Sequence, residues 1–160
     1  MKNIFRAIIA LLSLACCTPN DGVDSHAHVK TSKENTNNET KELPSISYKE
    51  FLDKIYDFEH DSTQTWSNKS GRPVVIDFYA TWCAPCKKLG PSLLELSDKY
   101  KGQVDFYKVD TEKEERLAMA FNISSVPTLM FIPKEGEPYL SVGYISKGEI
   151  NQIIKELVKY

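Results

Sequence analysis

The run Pro73-Val74-Val75-Ile76-Asp77-Phe78-Tyr79 is β-branched and aromatic, with no clean alternation of apolar and polar residues. A strand with water on one face alternates, so this one predicts cover on both faces, and that requires helices packed on either side of a sheet. Four residues beyond Tyr79 the pattern changes. Cys83-Ala84-Pro85-Cys86 leads into a helical spacing of Leu89, Leu93, Leu94 and Leu96 that reaches Tyr100, with Pro91 expected to kink it and Lys101-Gly102 to end it.

The same alternation of strand and helix continues to the C terminus. Val104–Val109 predicts a second strand, and Glu112–Phe121 a crossover helix carrying Leu117, Ala118 and Phe121. Thr128–Ile132 and Tyr139–Val142 flank Pro133-Lys134-Glu135-Gly136-Glu137-Pro138, a hairpin signature. Two capping boxes start helices: Ser47 with Glu50 before Phe51, Leu52, Ile55 and Phe58, and Ser146 with Glu149 before Ile150, Ile153, Ile154, Leu157 and Val158. The segment from Asp61 to Arg72 predicts a loop whose Trp66 folds back on the domain. The order α-β-α-β-α-β-β-α predicts an α/β fold over residues 45–160, a mixed sheet sandwiched between helices.

The first 44 residues have a different character. Residues 1–16 contain Lys2, Arg6 and the apolar block Ala7–Ala15, the layout of a signal peptide and too short for a bilayer-spanning helix. The block ends at Cys16 and Cys17 and resembles the lipobox of bacterial lipoproteins, which implies an acylated Cys17 or Cys16 and a lipid anchor in the periplasm or cell envelope. Residues 17–44 are rich in Asn, Thr, Ser, Lys and Glu and poor in large apolar side chains, the composition of a disordered linker. As a flexible coil such a segment spans roughly 30 Å. His26 and His28 in so polar a stretch are expected to be solvated. The formal net charge of the 160 residues is −2, which argues against a nucleic-acid partner.

Cys83 and Cys86 carry the chemistry. At the junction of a strand and a helix, Cys83 meets unpaired backbone amides and the positive end of the helix dipole, which favour a thiolate. Cys86 is one turn on, on the same face, and is expected to be the less open to solvent. An accessible low-pKa sulfur backed by a second thiol suits thiol–disulfide exchange. A zinc half-site needs further ligands, whereas there is no second cysteine pair and the three histidines all precede position 61. No metal is expected. An inert structural bridge closing so short a loop would constrain the unfolded chain little.

Trp82-Cys83-Ala84-Pro85-Cys86-Lys87 resembles the Trp-Cys-Gly-Pro-Cys-Lys site of the thioredoxin family. The likeness runs through Asp77, Pro91, Lys108, Val126-Pro127-Thr128, Gly136 and Gly143, and is nearest in kind to exported bacterial thioredoxins. It implies a protein-disulfide reductase or isomerase whose redox-active disulfide, Cys83–Cys86, needs no cofactor. Cys83 would be the nucleophile and Cys86 the resolving thiol. Asp77 would be the buried proton acceptor behind Cys86, with Lys108 as its charge partner. Pro127 would be a cis proline, with Val126 offering backbone hydrogen bonds to an extended substrate. Trp82, Ala84, Pro85, Thr128, Gly143 and Tyr144 would complete the surface that meets it. The implied partners are disulfide-containing exported proteins and a membrane electron donor.

Ala84 stands where the family has Gly, and a methyl there is expected to shift the redox potential only modestly. Relatives that reduce apocytochromes carry an insertion between the active-site helix and the cis proline, for which the 41 positions from Cys86 to Pro127 leave no room. A peptide-binding, chaperone-like module is the reading of a different class.

Overall fold

A computed structural model of the chain describes residues 41–61 and 65–159. The proposed signal segment, Cys16, Cys17, His26, His28 and most of the expected linker lie outside the described residues. The elements run α1 (Tyr48–Lys54), β1 (Val74–Tyr79), α2 (Ala84–Lys99), β2 (Asp105–Asp110), α3 (Glu115–Ala120), β3 (Thr128–Ile132), β4 (Tyr139–Val142) and α4 (Lys147–Val158). Their order is the one expected.

The sheet has the order β2-β1-β3-β4. β1 pairs in parallel with β2, and antiparallel pairing joins β1 to β3 and β3 to β4. Central β1 is buried on both faces, as its lack of alternation requires. Its side chains part into two cores. Val75 packs with Leu129, Phe131, Leu89, Leu93, Leu96, Ile150 and Ile154, beneath α2 and α4. Val74, Ile76 and Phe78 pack with Phe51, Leu117, Met130 and Ile132, on the side of α1 and α3. Asp77 sits two residues from Val75 and so shares its face, the side of the active-site helix.

Both capping boxes form, with Ser47 paired to Glu50 and Ser146 to Glu149, each worth about 1 kcal/mol of helix stability. Trp66 does fold back, its ring 4.2 Å from that of Tyr56. α2 continues through Pro91, which leaves the carbonyl one turn earlier without its helical donor.

Two expectations are adjusted. α3 begins at Glu115 and not at Glu112, because the N–H groups of Lys113 and Glu114 donate to the Asp110 carbonyl and that of Glu112 to the Asp110 side chain. Those bonds make a turn. α2 ends where expected, with Tyr100 as its C-cap and Gly102 at φ +80° accommodating the exit. At the N-terminal side, residues 41–44 pack on the domain although their composition reads as linker. Leu43 is buried in the α2/α4 core, and the Pro44 carbonyl accepts from the N–H of Lys108 at 2.9 Å. A single leucine in a polar stretch signals little by composition. Its burial depends on the neighbouring strand supplying backbone partners.

Candidate active site

Cys83 is the N-cap of α2 and Cys86 occupies the third helical position. Pro85 sits in the first turn, where a missing N–H costs nothing. The Cys86 N–H donates to Cys83 Sγ at 3.2 Å, so the sulfur takes the acceptor role that a Ser or Asp oxygen fills at other helix starts. In the reduced protein a charge on this sulfur would face that N–H and the positive end of a helix 16 residues long.

The two cysteines form a disulfide with a Cα–Cα distance of 5.3 Å. The expected difference in exposure between them is not seen: Cys83 is 3% and Cys86 4% exposed. Each bonded sulfur covers the other, and both pack on Ala80, Tyr79 and Val126. What distinguishes them is surroundings. Cys83 holds the cap bond. Cys86 lines a cavity of about 560 Å3 together with Asp77, Lys108, Glu42, Tyr79 and Pro91.

Asp77 is 5% exposed, and its Oδ1 has no hydrogen-bond partner among the described residues. Burial pushes its carboxyl up to about 7, against a smaller downward pull from the Lys108 ammonium. A carboxyl at that value can take or return a proton near neutrality. Lys108 stands opposite Asp77 in the β1–β2 register, as a charge partner should, but its ammonium makes its ion pair with Glu42 and lies 5.5 Å from the centre of the Tyr79 ring.

The Val126–Pro127 peptide is cis. Pro127 is buried, Val126 half-buried against the two sulfurs. Gly143, at φ +90°, donates its N–H to the Pro127 carbonyl at 2.8 Å. Trp82 is 68% exposed, with its indole N–H donating to Glu112 at 2.9 Å. Ala84 and Pro85 are exposed beside it. Tyr144 is also exposed, and the Lys88 ammonium lies 4.8 Å from its ring centre.

Thr128 differs from its expected part in substrate contact. It is buried, and its hydroxyl donates to the Ser125 carbonyl at 2.7 Å. It braces the turn before the cis peptide, with its side chain buried.

Two contributing residues escaped sequence reading. Glu112 holds Trp82 from a position 30 residues away, and Glu42 belongs to a stretch whose composition signals no structure. Neither has a local pattern that would have revealed it.

A helix-capped dithiol beside a buried carboxyl, on a sheet covered by helices, defines a disulfide oxidoreductase. The family model for thioredoxin matches residues 56–156. A thioredoxin of Borreliella burgdorferi is 44% identical over 112 residues, covering 70% of this chain and 94% of that protein. The chloroplastic M-type thioredoxin of Spinacia oleracea is 33% identical over 108 residues, covering 67% of this chain and 59% of its own. The crystal structure of chloroplastic thioredoxin z shares the fold, with a TM-score of 0.62 at 22% identity, over 75% of this chain and 97% of that one. The chain belongs to the thioredoxin family and has the thioredoxin fold. Its substrates are protein disulfides, as membership of the family implies.

Proposed function

We propose that the chain is an exported, lipid-anchored reductase or isomerase of protein disulfides, with Cys83 as nucleophile, Cys86 as resolving thiol and Asp77 as the base that serves Cys86. The observation that carries the chemistry is the placement of the two sulfurs. One is capped by a helix N–H, and the other shares a cavity with a buried carboxyl whose Oδ1 has no hydrogen-bond partner among the described residues.

In this reading the Cys83 thiolate attacks one sulfur of a substrate disulfide. That S–S bond breaks, its other sulfur leaves as a thiolate, and a mixed disulfide forms at Cys83. Cys86 then gives its proton to Asp77 and attacks Cys83 Sγ. The Cys83–Cys86 bond forms, and the mixed disulfide breaks. The second substrate sulfur leaves as a thiolate and takes up a proton. The substrate gains two electrons and the dithiol loses two, so a dithiol donor on the membrane must restore the reduced pair. Val126 and the cis proline meet the substrate main chain, and Trp82 and Tyr144 form the apolar surface around the sulfurs.

Export and anchoring are supported by Lys2, Arg6, the apolar block Ala7–Ala15 and the cysteines that end it. A polar segment after an acylated Cys17 or Cys16 would hold the domain away from the membrane surface while letting it turn.

The chemistry is tested by disulfide reduction with a chemical dithiol donor. Cys83→Ser loses turnover, and Cys86→Ser accumulates a mixed disulfide at Cys83. A Cys83→Ser protein that keeps its full effect on a disulfide-containing substrate points instead to a chaperone-like binder. The direction is tested by the equilibrium potential of the pair against glutathione, and a strongly oxidising value reverses it. Anchoring is tested by fatty-acid labelling of the Cys16→Ser and Cys17→Ser variants, and labelling of neither cysteine in the parent chain removes it.

A further inference from the structure

The cavity beside Cys86 is closed on one side by residues 41–43, a segment that the oxidoreductase chemistry as described does not use. Two anchors hold it there. Lys41 pairs with Asp98 on α2, and Leu43 is buried in the core. Beyond Leu43 the chain runs alongside β2: Lys108 donates to the Pro44 carbonyl at 2.9 Å, and Ile46 donates to the Lys108 carbonyl at 3.1 Å. Glu42 lies between the anchors and forms an ion pair with the Lys108 ammonium.

The charged and titratable groups lining the cavity are Lys41 and Glu42 from this segment, Asp77 and Tyr79 from β1, Cys86 and Lys87 from α2, and Lys108 from β2. Lys108 is the cation whose field acts on Asp77, and it stands across the strand pair from it. A Lys108 ammonium seated directly on Asp77 would stabilise the carboxylate and make it a poor proton acceptor. The described residues show a different arrangement. The ammonium pairs with Glu42, and Asp77 Oδ1 is left buried and unbonded.

We propose that Glu42 is a positioning residue for the proton transfer that resolves the mixed disulfide: by holding the Lys108 ammonium in an ion pair of its own, it leaves the buried Asp77 carboxyl free of a salt bridge and able to accept the Cys86 proton. The inference rests on the reading of Asp77 as the base for Cys86. It gives the N-terminal segment a part in the chemistry, since the carboxylate that occupies Lys108 comes from outside the strand-and-helix framework. Exposed ion pairs contribute little to stability by themselves, so Glu42 acts on the titration of Asp77, and on folding only through the pH dependence that this titration carries.

The test is the titration of Asp77, followed by carboxyl carbon NMR in the reduced full chain, together with the pH dependence of protein-disulfide reduction. The variants are Glu42→Gln, Glu42→Asp, Lys108→Gln, Asp77→Asn and the double variant Glu42→Gln/Lys108→Gln. Glu42→Gln is expected to lower the Asp77 midpoint by roughly 1 pH unit, the low end of what a nearby opposite charge does, and to move the activity limb with it. Glu42→Asp is expected to restore the parent midpoint. In the Lys108→Gln background, Glu42→Gln is expected to shift it much less, which shows that Glu42 acts through the ammonium.

An unmoved midpoint in Glu42→Gln overturns the inference, as does a loss of thermal stability with no shift. If Asp77→Asn leaves the activity limb in place, the base reading itself fails and takes this inference with it. If Asp77→Asn abolishes the limb while Glu42→Gln leaves it unmoved, Asp77 keeps its role and Glu42 alone loses its own.

Discussion

The Gly143 N–H donates to the Pro127 carbonyl at 2.8 Å, tying the chain beyond β4 to the cis proline beside the two sulfurs. The bond is made with Gly143 at φ +90°, in a region that an L side chain enters only with strain. A Cβ there would meet no neighbour within 4 Å, so the cost is conformational. Gly143→Ala is therefore expected to lower stability by about 1 kcal/mol and to reduce kcat/KM for protein disulfides. Urea unfolding and steady-state kinetics check both. An unchanged variant would show that the backbone at this position relaxes freely.

The sulfur of Cys83 caps α2 by accepting from the Cys86 N–H. Cys83→Ser keeps an acceptor at that position, and Cys83→Ala does not. Both variants are expected to lose turnover, but under reducing conditions the Ala variant should be the less stable by about 1 kcal/mol. Equal unfolding midpoints in denaturant would rule out a capping role for this side chain.

Asp77 gives stability a pH dependence of known sign. Its carboxyl titrates at about 7 in the folded chain against an ordinary value of 3.8, so the folded state binds the proton more tightly. The favourable contribution is complete below the unfolded value and is lost as pH rises through the folded one. Each pH unit that separates the two values is a factor of ten in proton binding, so the full loss amounts to roughly 4 kcal/mol. Asp77→Asn is expected to flatten this fall and to be more stable than the parent above pH 7. Denaturant unfolding between acid and neutral pH tests it, and parallel curves would count against a buried, raised carboxyl.

Leu43 is buried in the core beneath α2 and α4. Leu43→Ala in the full chain is expected to cost about 2–3 kcal/mol, as a core truncation does. A linker residue would cost nothing measurable, so thermal unfolding of this single variant decides where the domain starts.

Trp82 is 68% exposed and is held by Glu112. The docking role proposed for it predicts that Trp82→Ala lowers kcat/KM for a protein disulfide about tenfold, equivalent to roughly 1.4 kcal/mol. The rate with a small-molecule disulfide should change little. Equal losses with both substrates would assign Trp82 to the shape of the sulfur loop and not to docking.

The reach of local sequence is visible in particular elements. Ser47 with Glu50 and Ser146 with Glu149 marked two helix starts, because a capping box satisfies its own backbone donors within four residues. Val74–Tyr79 announced a central strand, because a doubly covered strand has no polar face. The Cys83–Cys86 spacing put both sulfurs at one helix start for the same local reason. The start of α3 was not legible, since it depends on how the Asp110 carbonyl and side chain close a turn.

Sequence alone settled the order of elements and the spacing of the dithiol, both consequences of short-range periodicity, capping and side-chain type. The burial of Asp77 was an expectation from the family resemblance, and the structure bears it out. Only the tertiary structure decided what surrounds them. Thr128 turned inward to Ser125, Trp82 found Glu112, and Lys108, whose field acts on Asp77, placed its ammonium in an ion pair with Glu42. Each of the last two joins residues 30 to 66 positions apart. Such pairs come into being when the sheet and its covering helices assemble, and no local pattern encodes them.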